Sequence, residues 1–543
     1  MNKLGSNASR LAAAQRFLRG GGALTLAILL VFASYHGLGL SWRDAALAAI
    51  VFGFGGYLLP RFAGERWARR LLGAWTLAFT LDLGVKAFLV SIFQTKPDAV
   101  LILDAVSNTN AAESAEFAAQ YGQQIALYVV VAVTFFGVLL LLQRARGTPT
   151  RRASRIVIGW LALFAIAHLN PTFARSNPLV FWPQQVEQFD DFQDKLLLIG
   201  SKRVQAAAAL PAWAPRYTGS AQQTVAVVIG ESTNRWNWQL YGYERATTPD
   251  LMAQRDGLLV FRDVISGTSG TVSSFRMMMT RKAHAQALDD EAEPSTVMLA
   301  KAAGYKTFWI SNQHDRYINP RFADEADVVR IVNVGGGRGD RKLDEGVLPH
   351  WREALADPAP RKLIIVHLLG AHPHYEMRSP EAFKRFSGVD DTVARQLRDA
   401  GRSTWTRLQR DSYDNAMLYQ DHVIGTLLRS FKQSVTDRSG AFVFTSDHAQ
   451  EVGHTRDFAG HTASEPGHTV PFLVWLSATP ADAAALVTRP YQTDTLDWTL
   501  LDLLDISTAL DQPGQSLLSA DYRSHPRLVD GAAYTPSALA LRR

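Results

Sequence analysis

Apolar positions fall into two regimes along this chain: long near-continuous runs before about residue 170, and short β-branched runs alternating with amphipathic stretches after about residue 220. In the first regime, Gly21–Leu40, Ala45–Leu59, Leu71–Phe93, Ile125–Leu142 and Ile156–Leu169 read as membrane-spanning helices, which need roughly 17 to 25 apolar residues. The second and fifth are the shortest. Charge sorts by loop: Arg10, Arg16 and Arg19 precede the first stretch, Arg61, Arg66, Arg69 and Arg70 follow the second, and Arg144, Arg146, Arg151, Arg152 and Arg155 follow the fourth. The opposite loop carries Asp98, Asp104, Glu113 and Glu116. By the positive-inside rule the N-terminus is cytoplasmic and everything after Leu169 lies across the membrane. Four further spans after the first, and no small-residue cleavage site, argue against a cleaved leader.

Residues 171–219 mix prolines, aromatics such as Phe173, Phe181, Trp182 and Trp213, and a helical stretch around Val186–Ala209. This composition predicts a segment along the membrane surface that links two domains, 1–170 and 220–543. In the second domain, strand-like runs (Val225–Ile229, Lys306–Ile310, Leu363–His367, Phe442–Thr445, Phe472–Leu476) alternate with helical patterns at Ser295–Ala303 and Tyr413–Ser430. Such alternation predicts an α/β fold whose central sheet is largely parallel and covered on both faces. No internal repeat is visible, and the chain after about Asp521 shows no periodicity, which predicts loose order.

Two of these strands end in metal-ligand residues. TVAVVIG runs into Glu231-Ser232-Thr233, and the strand Ala441–Thr445 runs into Ser446-Asp447-His448. Glu, Asp and His together suit a hard or borderline divalent ion, zinc above all. Between them, the Gly/Ser/Thr-rich loop Val264–Phe275 leads into Arg276–Met279. A hydroxyl at a helix start meets unpaired amides and the positive end of the dipole, a setting that favours an alkoxide and a phosphate. The same loop is equally an ordinary capping sequence. His367 and His372 follow one strand, and His448, His454, His461 and His468 follow another, at the edge where sheets of this type bind ligands.

Composition narrows the chemistry. The chain of 543 residues has no cysteine, so thiolate ligands, thiol nucleophiles and disulfides are excluded. Its formal charge of +6 comes largely from the loop arginines and reads as topology, with no nucleic acid partner.

The segments IGESTNRWNWQLYGYERATTP, YKTFWISNQ, ADPAPRKLIIVHLLGAHPHY, SYDNAMLYQDHVI, FTSDH and TVPFLVW, in this order, resemble the phosphoethanolamine transferases of Gram-negative inner membranes. These are zinc-dependent enzymes with an alkaline-phosphatase-like, sulfatase-like catalytic domain in the periplasm behind five spans. The wording is closer to the branch that modifies the lipopolysaccharide core. The resemblance implies transfer of phosphoethanolamine from phosphatidylethanolamine to lipopolysaccharide or lipid A through a phosphothreonine. It implies zinc held by Glu231, Asp447 and His448 with the nucleophile Thr271, which keeps Ser274 three residues on. Thr268 and Ser269 compete with Thr271, because the loop is one residue longer than the usual pattern. His372 and His461 take the roles of phosphoryl or second-zinc ligands and general acid/base, with His454 and His468 competing for the place of His461. Thr109 and Glu113 match lipid-headgroup residues, although Ala105 replaces the usual asparagine and leaves Asn108 or Asn110 to compensate. Ala449 replaces the usual glycine after Asp-His, which moves the expected supporting carboxylate to Glu451. A glycerophosphate or other phosphodiester transferase is the alternative within the fold. A sulfatase-like hydrolase would need a C/S-x-P-x-R sequence, which is absent. A non-catalytic glycan-binding membrane protein is the alternative of another class, and it leaves the two ligand-bearing strand ends unexplained.

Overall fold

The computed structural model describes residues 21–37, 41–62, 65–93, 111–146, 155–197, 199–219, 222–280, 293–313, 318–333, 343–462 and 464–537. They divide into two compact units, one of residues 1–103 and 118–193 and one of residues 104–117 and 194–543.

In the first unit every apolar stretch is helical: α1 (Ala23–Gly37), α2 (Trp42–Phe62), α3 (Glu65–Phe93), α4 (Ala111–Arg146) and α5 (Arg155–Ala167). Two of them, over Arg66–Leu89 and Tyr121–Ala145, are long and apolar enough to cross a membrane. Ala23–Gly37 and Val157–Ala167 are apolar but shorter, and α2 carries Arg43, Asp44 and Arg61 near its ends. Five expected spans thus become two helices of full spanning character and three weaker ones. Helices α2 and α3 approach closely at Gly55, where a Cβ would overlap the Trp75 ring. The Trp75 indole donates to the Phe52 carbonyl at 3.1 Å and packs on Phe79. Among the described residues of this bundle, Asp82 is a buried carboxylate. Asp82 accepts from Tyr35 at 2.5 Å, Lys86 at 3.0 Å and the Trp182 indole at 2.9 Å. A charge in an apolar bundle persists only with such complete pairing.

The helical stretch expected around Val186–Ala209 is present as α6 (Pro178–Leu197) and α7 (Ile199–Trp213), preceded by a short turn at Pro171–Arg175 that Asn170 caps.

The second unit is built on a seven-stranded sheet. In chain order its strands are β1 (Gln223–Gly230), β2 (Leu258–Phe261), β3 (Lys306–Ser311), β4 (Val328–Ile331), β5 (Arg361–His367), β6 (Ser439–Ser446) and β7 (Phe472–Leu476), and their order across the sheet is β2-β7-β6-β1-β5-β3-β4. The alternation of β1 explains the two covered faces. Val225, Val227 and Ile229 enter one hydrophobic cluster, and Ala226 and Val228 enter the other. Helix α8 (Thr271–Met279) packs on the first face through Phe275, Met278 and Met279. The long helix α9 (Thr404–Ser434) packs on the second through Tyr413, Met417, Ile424 and Phe431.

Two expectations need correction. The sheet is mixed: β6, β1, β5, β3 and β4 run parallel, but β7 is antiparallel to both β6 and β2. The chain between β6 and β7 contains a small hairpin, Glu451–Val452 with Ala459–Gly460, and among its described residues no crossover helix, so it returns along the same edge. The C-terminal tail is also pinned. Leu528–Val529 pairs with Ala532–Ala533, Arg527 forks onto Asp263 at 2.7 and 3.0 Å, and Tyr534 donates to Glu465 at 2.9 Å. The last two contacts are made by single residues to distant segments and leave no periodic signature.

Candidate metal centre and active site

Strands β1 and β6 are parallel neighbours in register, with Gly230 opposite Ser446. The residues that follow are therefore placed side by side at the carboxyl edge, where the Asp447 amide donates to the Gly230 carbonyl at 3.2 Å. Glu231, Asp447 and His448 are buried, and one ligand atom from each lies within 4.8 Å of the others. His448 Nε2 is 3.4 Å from Glu231 Oε1 and 3.4 Å from Asp447 Oδ2. Its Nδ1 lies 3.0 Å from the Ala449 carbonyl, an acceptor that holds the hydrogen on Nδ1 and turns the Nε2 lone pair toward the carboxylates. Asp447 Oδ1 accepts the amides of Ser232 at 3.1 Å and His448 at 2.7 Å. Asp447 Oδ2 is buried and has no hydrogen-bond partner among the described residues.

The electrostatics ask for a cation. Burial, reinforced by the charge of Asp447, pushes the Glu231 carboxyl up to about 8. Burial likewise raises Asp447, with its hydrogen bonds opposing the rise. Two carboxylates in a dry pocket resist sharing negative charge, and a divalent ion at the orphaned oxygen relieves that cost. The donor set of two carboxylates and one imidazole nitrogen fits zinc, with one position left for a reacting group.

Thr271 faces this centre. It is the first residue of α8, after Gly270, which is extended and has no side chain to cap the helix. Thr271 Oγ1 donates to Glu231 Oε2 at 3.1 Å and lies 3.3 Å from His448 Nε2. Among the described residues of the loop, this is the hydroxyl set against the ligand cluster. Thr268 presents its carbonyl to Ser266 and Ser274, and Ser269 presents its carbonyl to His461 Nδ1 at 3.2 Å. The loop is tied down where the Ser266 amide donates to the His468 carbonyl at 2.8 Å.

Histidines sort clearly. The His461 ring stands 4.7 Å from that of His448 and 6.1 Å from that of His372. His454 Nε2 is paired with Asn237 at 2.8 Å, and His468 faces Asp530 at 3.7 Å. His367 is buried against Phe275, with its ring pushed down to about 3 by desolvation. Glu451 does not support the centre as expected. Its carboxylate caps its own turn, accepting from Thr455 Oγ1 at 2.5 Å, because the hairpin folds back at that point. Thr109, with Ala105, Asn108 and Asn110, lies outside the described residues, and Glu113 falls in the first turn of α4.

Several residues behind the cluster escape a sequence reading. Ser232 has a left-handed backbone, with φ at +61°, and donates to Glu231 Oε1 at 2.6 Å. Tyr413 of α9 donates to the Ser232 carbonyl at 2.6 Å and accepts the Asn234 amide at 2.8 Å. Gln420, two turns further along α9, exchanges hydrogen bonds with Thr233 at 2.9 and 3.1 Å. Asp344 holds the amides of Leu369 and Gly370 at 2.8 and 2.9 Å, and so fixes the loop that carries His372. The available signal was the helical spacing of Tyr413, Met417, Gln420 and Ile424, which sets polar groups on a buried face.

Comparison with known proteins agrees with this architecture. The sulfatase family model matches residues 223–506. A phosphoethanolamine transferase EptC of Escherichia coli is 31% identical over 475 residues, covering 81% of this chain and 80% of its own. The C-terminal periplasmic domain of Escherichia coli EptC in complex with zinc is 32% identical, with a TM-score of 0.55, covering 60% of this chain and 95% of that one. The integral membrane protein lipooligosaccharide phosphoethanolamine transferase A of Neisseria meningitidis has a TM-score of 0.61 over 93% of this chain and 99% of its own; at 20% identity it shows likeness of fold alone.

Proposed function

This chain belongs to the phosphoethanolamine transferase family, within the sulfatase family, and we propose that it moves phosphoethanolamine from phosphatidylethanolamine to lipopolysaccharide, on a core sugar or lipid A, by way of Thr271. The observation that carries this reading is the placement of Thr271 Oγ1, at a helix N-terminus and 3.1 Å from Glu231 Oε2.

In the first half-reaction the Thr271 oxygen bonds to phosphorus, the bond to diacylglycerol breaks, and diacylglycerol leaves with a proton. Glu231 Oε2 receives the hydrogen bond of the Thr271 hydroxyl in the resting state. Amides of the first turn of α8 face the phosphoryl oxygens. In the second half-reaction an acceptor oxygen attacks the same phosphorus in line, and the Thr271 oxygen departs and is reprotonated. In this reading His372 and His461, both half-buried beside the cluster, orient the phosphoryl group and move the proton, and their ring separation of 6.1 Å supports a joint role. Zinc held by Glu231, Asp447 and His448 supplies positive charge against the charge that builds on the reacting oxygens. A zinc complex of the related Escherichia coli domain supports that identity of the ion.

We assign residues 1–170 to a membrane domain of five spans, 171–219 to a surface linker and 220–543 to a periplasmic catalytic domain. Arginine-rich loops and the apolar helices α1 to α5 support this topology. Thr109 and Glu113 are proposed to meet the donor headgroup. Donor and acceptor are both membrane lipids, so a tethered catalyst need not extract either one. Mass spectrometry of lipopolysaccharide from cells with and without the gene tests the reading. An added ethanolamine phosphate that depends on the gene supports it, and identical glycolipids contradict it.

A further inference from the structure

Gln450 is fully buried two residues past His448, where the sequence pointed instead to a carboxylate at 451. Its side-chain nitrogen lies 2.8 Å from Ser232 Oγ and 3.1 Å from His461 Nε2, and its oxygen accepts from the Tyr375 hydroxyl. The hydrogen-bond inventory of these groups fixes their orientation. Ser232 has already given its hydrogen to Glu231 Oε1, so it can only accept from residue 450, and the amide nitrogen must face it. The second hydrogen of that nitrogen then points to His461 Nε2, which must accept. The His461 ring therefore carries its hydrogen on Nδ1, 3.2 Å from the Ser269 carbonyl. Tyr375 takes the remaining amide oxygen. One tautomer and one amide orientation meet these contacts together.

We propose that Gln450 is a positioning residue for phosphoryl transfer: its amide fixes His461 as the Nδ1–H tautomer against the loop that carries Thr271, and ties that imidazole to the Ser232–Glu231 turn. This role rests on the reading of Thr271 as nucleophile. A carboxylate at the same place could accept from Tyr375 but could donate to neither Ser232 nor His461, so the position requires an amide and not merely a polar side chain. Because His461 Nε2 is engaged by Gln450, the zinc of the Glu231, Asp447 and His448 cluster does not depend on His461.

The test uses the full-length protein in detergent, with labelled phosphatidylethanolamine as donor and lipopolysaccharide as acceptor. Diacylglycerol release, bound zinc by elemental analysis and thermal stability are measured for the wild type, Gln450→Glu, Gln450→Met, Tyr375→Phe and His461→Ala. Gln450→Glu and Gln450→Met should both lower kcat by about 10- to 100-fold, the usual range for partners that orient a reacting group, with KM and zinc content nearly unchanged. Tyr375→Phe, which frees the amide to turn, should cause a smaller drop in kcat, and His461→Ala should keep its zinc. Wild-type kcat in Gln450→Glu, or loss of zinc and stability in parallel with activity, overturns the role of Gln450 alone. A wild-type protein that releases no diacylglycerol overturns the transfer reading and this role together.

Discussion

Gly370 sits against the backbone of Glu231: a Cβ at position 370 would stand 2.5 Å from the Glu231 carbonyl oxygen and 2.8 Å from its nitrogen. The residue also has φ at +55°, in the left-handed region. Its neighbour completes the contact, since the Ala371 amide donates to the Glu231 carbonyl at 3.0 Å. The loop that bears His372 is thereby built onto the strand end that bears a metal ligand. Gly370→Ala combines a steric clash with an unfavourable φ and should destabilise the protein by about 1 to 3 kcal/mol while reducing bound zinc. Thermal denaturation and elemental analysis check both effects. Unchanged zinc content would separate the two loops.

Tyr413 braces the Glu231 turn from the opposite face of the sheet. Tyr413→Phe removes one hydroxyl but strands two buried backbone groups, the Ser232 carbonyl and the Asn234 amide. The expected loss is about 1 to 3 kcal/mol, more than an exposed tyrosine hydroxyl would cost. Chemical denaturation measures it, and a loss below a few tenths of a kcal/mol would show that the turn holds itself.

Stability of the metal-free protein should depend on pH with a definite sign. The folded-state carboxyl of Glu231 is raised by burial to about 8 from an ordinary 4.5. A raised carboxyl binds its proton more tightly when folded, so its contribution is full below the ordinary value and is lost as pH rises toward the folded value. Chelated protein should therefore melt at progressively lower temperature between about pH 5 and 8, and zinc should remove that slope. Identical pH profiles with and without chelator would contradict the assignment of Glu231 and Asp447 to one ion site.

Topology is testable without purification. A reporter fused after Leu40, within residues 96–124 or after Asn170 should report the periplasm, and one within 61–70 or 144–155 the cytoplasm. A cytoplasmic signal after Asn170 would remove the lipid donor from reach of the active site.

What was legible in the sequence follows the range of the interactions. Strand β1 and strand β6 are β-branched and aromatic runs with polar stops, so Glu231, Asp447 and His448 could be read as strand ends before any fold was known. The parallel core was legible for the same reason, but the reversal of β7 was not, because direction depends on the absence of a crossover helix and not on the strand itself. Ser232 and Gln450 act through individual hydrogen bonds across as many as 218 positions of chain, for which composition and period carry no signal, whereas Tyr413 could be read only by its place on a buried helix face. Glu451 misled because its type suited the centre while the hairpin that follows turned it away. His461 was separated from His454 and His468 only by the partners each one finds.

The central claim is that Thr271 carries the phosphoethanolamine in transit, and the direct measurement is mass spectrometry of peptides from the full-length protein after incubation with phosphatidylethanolamine and no acceptor. The account predicts an ethanolamine phosphate on Thr271 that is absent from Thr271→Ala. That variant should keep its fold and most of its zinc, since Glu231, Asp447 and His448 remain, yet lose turnover by orders of magnitude. An adduct on Thr268 or Ser269, or near-normal turnover in Thr271→Ala, would contradict the account.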